Sequence, residues 1–211
     1  MSQLMARTRI KFCGLTRPDD IAQAVALGVD ALGFVMWPKS SRSITAEALQ
    51  VLAAQVPAFV TRVGLFVNQP AEFIQQCLPH LDLIQFHGDE SAAFCQQFGR
   101  PWMKALRMRG DLDLHQAASE YAAAQALLLD AYRPGVPGGT GETFDWSRIP
   151  ASLEKPVILA GGLTADNIAS AVAQVAPYAV DVSGGIEASP GVKDATLMAA
   201  FVRHVAQANT R

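Results

Sequence analysis

The chain has 211 residues, half of them hydrophobic, and a formal net charge of -2 at pH 7. This length fits one domain over residues 1–211 with a single large core, and the balanced charge leaves no basic face for a nucleic-acid backbone. The first seven residues lack the apolar core of a signal peptide and no segment reaches the roughly 18 apolar residues of a membrane helix, so we expect a cytoplasmic protein without nucleic-acid or membrane partners.

Eight short apolar runs alternate with helix-like segments along the chain. The runs lie at residues 9–13, 31–36, 62–67, 83–87, 102–107, 126–130, 156–160 and 179–182. The hydrophobic pattern predicts helices near 46–54, 70–78, 90–97, 112–123 and 194–206, with a short one near 145–149. Two further helices are predicted from an internal repeat.

The repeat relates the segment that begins Gly14-Leu15-Thr16 to the segment that begins Gly162-Leu163-Thr164. Each segment follows one apolar run, opens a helix and leads into the next run, which is the pattern of a strand, helix, strand unit. Thr16 and Thr164 stand where a helix N-cap is expected. The same unit therefore occurs twice.

Eight such units in 211 residues correspond to about 26 residues each. Runs such as Leu127-Leu128-Leu129 do not alternate with polar residues, as expected for strands covered by helices on one face and by a packed interior on the other. The pattern predicts an α/β fold, a single (β/α)8 TIM barrel. An open doubly wound sheet stays as the alternative, although Gly161-Gly162 follows the seventh run and no glycine fingerprint follows the first.

The first candidate for chemistry is Cys13, at the end of the first run. The chain has three cysteines without paired spacing, which argues against a disulfide framework and against a zinc cluster, so we expect no metal. Strand alternation places Lys11 and Cys13 on one face, directed into the barrel mouth. A neighbouring cation favours the thiolate, whereas a cysteine used only for packing stays inert.

The second candidate is Asp130, at the end of the sixth run. It shares a face with Leu128, and the apolar run before it indicates partial desolvation. Desolvation raises the pKa of a carboxyl and makes it a proton donor near neutral pH. The competing interpretation is a loop Asp that caps a turn or pairs with Arg133.

Two glycine-containing loops follow the last two runs, at Gly161-Gly162 and Ser183-Gly184-Gly185. Barrel enzymes commonly hold a phosphate at this position through backbone N–H groups, although glycines also serve simply as turn residues. The segment Gly138-Gly139-Thr140-Gly141 lacks a following Lys-Ser or Lys-Thr and is interpreted as a mobile lid.

Three further polar residues fall on the same predicted face. Arg42, in the loop after the second run, has the forked geometry that holds a carboxylate through two hydrogen bonds, or it is simply solvated. Gln85 and His87 share an inward face at the fourth run. The other histidines, at 80, 115 and 204, show no ligand spacing.

With these positions assigned, the whole sequence resembles the phosphoribosylanthranilate isomerases of tryptophan biosynthesis. The resemblance is carried by seven motifs in one order, namely Lys11-Phe12-Cys13-Gly14-Leu15-Thr16, Ser40-Ser41-Arg42, Gln85-Phe86-His87-Gly88, Leu129-Asp130, Gly138-Gly139-Thr140-Gly141 with Phe144-Asp145-Trp146, Ala160-Gly161-Gly162-Leu163, and Asp181-Val182-Ser183-Gly184-Gly185-Ile186-Glu187. It implies a TIM barrel that isomerises N-(5'-phosphoribosyl)anthranilate in an Amadori rearrangement. No metal or organic cofactor is implied.

The resemblance also implies roles for individual residues. Asp130 corresponds to the general acid that protonates the ribose ring oxygen, and Cys13 to the general base that removes the C2 proton. Arg42 is similar in placement to the residue that holds the anthranilate carboxylate. Residues Gly161, Gly162, Ser183, Gly184 and Gly185 correspond to the phosphate site, while Gln85, His87 and Asp181 are assigned to substrate binding. Gly184 departs from the Ser expected in many relatives, which weakens phosphate binding if that hydroxyl is a ligand.

Two other functions compete with this interpretation. One is a different phosphosugar isomerase or epimerase of the metal-dependent pentose phosphate type, which the absence of a His and Asp ligand set at the rim disfavours. The other is a catalytically silent barrel that senses a phosphorylated metabolite. The expected partner is a small phosphoribosyl substrate. The sequence leaves open whether the chain is a monomer or a homodimer.

Overall fold

The computed structural model describes residues 7–110, 112–131 and 143–209. Eight parallel strands form a closed barrel in chain order, and pairing of the eighth strand with the first completes the ring. The strands are β1 (Arg9–Cys13), β2 (Ala31–Val35), β3 (Thr61–Phe66), β4 (Leu83–Phe86), β5 (Trp102–Arg107), β6 (Leu127–Asp130), β7 (Val157–Leu159) and β8 (Ala179–Val182). The predicted TIM barrel is confirmed, and the closure excludes the open doubly wound sheet.

Helices lie between the strands around the outside of the barrel. Among the described residues they are α1 (Pro18–Ala26), α2 (Ala46–Ala53), α3 (Ala71–Cys77), α4 (Ala92–Gln96), α5 (Leu114–Glu120), α6 (Ile168–Val175) and α7 (Ala195–Ala208). Between β6 and β7 the described part contains a single 3-10 turn at Trp146–Arg148, and the predicted lid at Gly138-Gly139-Thr140-Gly141 lies outside the described residues, as does Arg133. No helix in the described ranges is long and apolar enough to cross a membrane.

A short antiparallel hairpin between β8 and α7 was not predicted from the sequence. Its strands are β9 (Glu187–Ser189) and β10 (Val192–Lys193), preceded by a 3-10 turn at Gly184–Ile186. The hairpin follows β8 directly, so it lies at the end of the barrel where the strands finish. It brings Glu187 and Lys193 to the predicted site.

The two N-caps predicted at Thr16 and Thr164 are wrong. Helix α1 begins at Pro18 with Arg17 as its N-cap, and the hydroxyl of Thr16 donates a hydrogen bond to the carbonyl of Gly191, 2.6 Å away. Helix α6 begins at Ile168 with Asn167 as its N-cap. The repeat therefore has the predicted order of elements, but α1 begins one residue too late for Thr16 to be its N-cap, and the Thr16 hydroxyl binds the hairpin instead.

Strand alternation divides the buried side chains between two cores. Phe12 points outward from β1 and contacts Phe201 of α7 edge to face, with ring centroids 6.2 Å apart. Inward-facing side chains fill the barrel, among them Val63, Met103 and Leu128. A packed interior of this kind closes the barrel below its mouth, so a ligand has access only to the ends of the strands.

Candidate active site

A cavity of about 490 Å³ opens at the C-terminal ends of the strands. This volume lies within the range of small-molecule sites. Ten of the residues predicted from the sequence line it, and these are Cys13, Arg42, His87, Asp130, Gly161, Gly162, Asp181, Ser183, Gly184 and Gly185. Parallel strands whose ends meet at one face therefore bring together residues from across the chain.

Cys13 lies at the mouth of the barrel, only 4% exposed, beside the apolar side chains of Val35 and Leu65. Burial raises the pKa of its thiol, and burial together with the Asp181 carboxylate outweighs the lowering by the nearby ammonium groups of Lys11 and Lys193. The ligand-free protein thus favours the neutral thiol. The sequence left open whether a neighbouring cation favours the thiolate or burial keeps the thiol inert; the cation is present, and the net pKa shift is nevertheless upward.

Asp130 lines the same cavity, and its carboxyl group is held by His87. The Nε2 atom of His87 lies 3.2 Å from Oδ2 of Asp130, and Nδ1 lies 3.0 Å from the amide nitrogen of Gln85. Because an amide nitrogen only donates, Nδ1 accepts, and a neutral imidazole then donates from Nε2 to Asp130. These hydrogen bonds orient Oδ2 of the carboxyl group, while Oδ1 faces Gly161.

Gln85 occupies a different place from the one predicted. It is completely buried and does not belong to the cavity lining; its amide lies behind His87. Gln85 was assigned to substrate binding from the sequence, but the structure places it outside the cavity lining, where it contacts the imidazole of His87. Strand alternation correctly placed the side chain inward, but it does not distinguish the level of Gln85 from the level of the mouth.

Arg42 lines the cavity and is already engaged by a carboxylate of the protein. Its Nε and Nη2 atoms donate to the two oxygens of Glu187, at 2.7 and 2.6 Å. Glu187 also accepts from Nζ of Lys193 at 2.8 Å, and that ammonium donates to the carbonyl of Cys13 at 2.7 Å. The guanidinium is thus held in a fixed orientation, with its Nη1 group uncommitted to this ion pair.

The two predicted phosphate loops lie side by side. Gly161 and Gly162 have φ angles of 82° and 63°, a left-handed conformation that costs little only for glycine. A Cβ on Gly161 would clash with the backbone nitrogen of Ala131, and one on Gly185 would clash with the carbonyl of Leu163. Glycine is therefore required for the two loops to approach each other and to present their backbones to an anion.

Comparison with known proteins identifies the family. The model of the N-(5'phosphoribosyl)anthranilate (PRA) isomerase family matches residues 10–204. An N-(5'-phosphoribosyl)anthranilate isomerase of Chromohalobacter salexigens is 64% identical over 205 residues, which cover 97% of each chain. The chain belongs to the phosphoribosylanthranilate isomerase family.

Solved structures of phosphoribosylanthranilate isomerases share the fold. The enzyme from Thermotoga maritima superposes with a TM-score of 0.87 at 37% identity, covering 95% of this chain and 99% of that one. A phosphoribosylanthranilate isomerase in complex with reduced 1-(o-carboxyphenylamino)-1-deoxyribulose 5-phosphate gives a TM-score of 0.84 at 34% identity, with coverage of 95% and 99%. Another Thermotoga maritima structure contains monomers generated from a dimeric enzyme.

Three charged residues of this candidate site were not predicted as functional. The sequence predicted no role for Glu187 or Lys193, and it placed Lys11 on the same face as Cys13 without a role of its own. Of the three, only Lys11 could have been recognised from the sequence. Its apolar neighbours on the strand point outward, so alternation directs the lysine into the barrel. The partners of Glu187 are 145 and 6 residues away, so no local pattern marks them.

Proposed function

We propose that this chain catalyses the Amadori rearrangement of N-(5'-phosphoribosyl)anthranilate to 1-(2-carboxyphenylamino)-1-deoxyribulose 5-phosphate in tryptophan biosynthesis. The observation that carries the proposal is the position of Cys13 and Asp130 in one cavity with two glycine loops beside it. The reaction is an intramolecular aldose-ketose isomerisation. It needs only proton transfers, and a thiol and a carboxyl group supply a base and an acid.

Asp130 acts as the general acid. It donates its proton to the ribose ring oxygen as the bond from that oxygen to C1 breaks, and the nitrogen lone pair forms the Schiff base. Oδ2 is oriented by His87, while Oδ1 faces Gly161, whose missing side chain leaves space there because a Cβ would lie 2.9 Å from that oxygen. The acid is therefore held in place before the substrate arrives.

Cys13 acts as the general base in its thiolate form. It removes the C2 proton. The electron pair of the broken C–H bond forms the C1–C2 double bond, and the π electrons of the Schiff base return to nitrogen. The resulting enolamine tautomerises to the ketone. Asp130 has then lost one proton and Cys13 has gained one, so exchange with solvent restores both groups without net proton uptake. Each positioned proton transfer contributes about 100- to 10,000-fold to the rate.

The remaining groups bind the ends of the substrate. The loops around Gly161-Gly162 and Ser183-Gly184-Gly185 hold the phosphate through backbone N–H groups. Arg42 and the anthranilate carboxylate form a charge-assisted pair, with Glu187 fixing the guanidinium. The relative solved with a reduced product analogue supports a small phosphoribosyl ligand.

Steady-state turnover of the fluorescent anthranilate substrate tests the assignment. Cys13→Ala and Asp130→Asn are each expected to lower kcat by at least about 100-fold with native circular dichroism. Cys77→Ala, which removes a buried thiol away from the cavity, and Asp19→Asn on the exposed side of α1 are the matched controls. Near-normal turnover in either catalytic variant removes the corresponding role, and inhibition by a chelator supports the metal-dependent alternative.

We also propose that the chain acts as a single domain in the cytoplasm. The biosynthetic role of its family supports this location, and the Thermotoga maritima relative provides a dimeric precedent. Monomer and homodimer are distinguished by sedimentation equilibrium of the purified chain. Cell fractionation with a specific antibody tests the location.

A further inference from the structure

A buried ion pair lies at the end of the barrel interior, next to Cys13. Nζ of Lys11 donates to Oδ1 of Asp181 at 2.7 Å, and the two side chains are only 4% and 10% exposed. Burial of two charges carries a desolvation cost that well-packed apolar side chains avoid. Packing of the barrel therefore does not explain why these charges are present.

The strand register explains how the pair reaches the thiol. Lys11 and Cys13 are two residues apart on β1 and both point inward, and Lys11 is the register partner of Asp181 on β8. On the other side, Cys13 is the register partner of Gly33 on β2. A Cβ placed on Gly33 would lie 2.9 Å from the Cys13 sulfur and also 2.9 Å from the Lys11 nitrogen. Both atoms thus border the space above Gly33.

Several charges face the thiol, and they differ in sign and in attachment. Lys11 on its own strand and Lys193 on β10 lower the pKa of Cys13, whereas Asp181 on β8 raises it. Lys193 is committed to the carbonyls of Cys13 and Ser183 and to Glu187, which is in turn paired with Arg42. His87 and Asp130 line the same cavity from β4 and β6, while the neighbours on β2 and β3 are uncharged, namely Gly33, Val35 and Leu65.

We propose that Lys11 is a positioning residue of this site, whose ammonium stabilises the Cys13 thiolate while Asp181 holds that ammonium in place. The inference rests on the proposed function, because it explains how a buried thiol becomes a base. Deprotonation of Cys13 releases its proton to solvent through the cavity, and the new anion then faces the cation that Asp181 alone had balanced. Asp181 acts through Lys11 in this account, in place of the direct substrate contact assigned to it from the sequence.

Lys11 and Asp181 are predicted to change the pKa of Cys13 in opposite directions. An opposite charge at close range favours the ionised form of a group by one pKa unit or more. Asp181→Asn removes the negative charge but keeps an oxygen that accepts from the Lys11 ammonium, so it is expected to increase the thiolate fraction severalfold. The double variant Lys11→Met/Asp181→Asn removes both charges, avoids a buried unpaired carboxylate and is expected to decrease the thiolate fraction by about 10-fold, because Lys11 affects the pKa of Cys13 more strongly than Asp181 does.

The readout is alkylation of Cys13 by iodoacetamide as a function of pH, quantified by mass spectrometry on the peptide that contains Cys13. This measurement follows the thiolate without turnover, so it separates the inference from the proposed function. Asp181→Asn should react severalfold faster than the wild type, and Lys11→Met/Asp181→Asn about 10-fold slower, with its pH profile displaced upward. Lys11→Arg, which keeps the positive charge, should retain most of the wild-type rate.

Lys155→Met is the matched control, because Lys155 precedes β7 at the opposite end of the barrel and donates to the carbonyls of Ala122 and Ala124. Its alkylation profile should match that of the wild type. Superimposable profiles for the wild type and the folded double variant overturn the role of Lys11, whatever the turnover. Full turnover by Cys13→Ala instead overturns the proposed function and leaves the alkylation result intact.

Discussion

The replacement of Glu187 by Gln tests how the site holds its cations. Glu187 bridges Arg42 and Lys193 with contacts between 2.6 and 2.8 Å. The side chains are 17%, 4% and 0% exposed for Arg42, Glu187 and Lys193, so solvent screens this cluster little. Gln keeps the shape and one acceptor oxygen but removes the negative charge, which leaves two neighbouring cations uncompensated.

The cost of Glu187→Gln follows from that geometry. Removing one partner of a buried ion pair costs about 3–5 kcal/mol, and the partial exposure of Arg42 favours the lower end, so we expect a loss of about 3 kcal/mol in the free energy of unfolding. Urea unfolding followed by tryptophan fluorescence at pH 7 measures it, with an unchanged m-value. Glu154→Gln, on the exposed surface, should change the stability by less than about 0.5 kcal/mol.

The pH dependence of this difference supplies its sign. Burial raises the pKa of Glu187, but the hydrogen bonds from Arg42 and Lys193 outweigh it and hold the pKa below its usual value of 4.5. A carboxylate with a lowered pKa stabilises the fold above that usual value, and the contribution disappears as the pH falls through the lowered pKa. The stability gap between the wild type and Glu187→Gln should therefore be full at neutral pH and shrink below pH 4.5. A gap under about 1 kcal/mol at pH 7, or one that widens in acid, refutes this reasoning.

Three further substitutions have defined outcomes. Gly161→Ala places a Cβ on a left-handed backbone and against the backbone after β6. It should therefore lower the free energy of unfolding, measured by thermal unfolding, by more than about 1 kcal/mol, and raise KM. The control Gly110→Ala enters open space and should do neither. In Gly184→Ser the new Cβ meets only an ordinary contact at 3.5 Å, so the variant should fold normally. If the added hydroxyl donates to the phosphate, isothermal titration with the reduced product analogue should find binding tighter by about 2- to 10-fold. Unchanged binding assigns that phosphate contact to the backbone alone. His87→Phe keeps a ring but loses the hydrogen bond to Asp130, so kcat should fall by up to about 100-fold with little change in KM. The control His115→Phe, at an exposed position, should leave kcat unchanged. Equal kcat values for the two variants contradict the role of the imidazole.

The barrel and its site could be predicted because both depend on local pattern and on one general rule. Apolar runs such as Leu127-Leu128-Leu129 mark strands buried on both faces, and parallel strands bring their ends to one face of the barrel. Once Cys13 and Asp130 were placed at strand ends, their common cavity followed. The roles of these residues in proton transfer stay predictions until the variants are assayed.

The features that were missed depend on contacts between distant segments. Thr16 has the composition of an N-cap, yet its hydroxyl binds the carbonyl of Gly191 in a hairpin 175 residues away. Glu187 and Lys193 matter only because that hairpin folds over the mouth. Gln85 shows a different limit, since alternation gives the direction of a side chain but not its depth in the barrel.

A crystal structure of this chain with reduced 1-(o-carboxyphenylamino)-1-deoxyribulose 5-phosphate tests the central claim most directly. We predict the phosphate against Gly161-Gly162 and Ser183-Gly184-Gly185, the carboxylate at Arg42, and C2 facing the sulfur of Cys13. We also predict that the oxygen at C4 of the sugar chain lies within about 3 Å of Asp130, directly or through one water. A ligand bound with its phosphate at Arg42, or with C2 turned away from Cys13, would contradict these predictions.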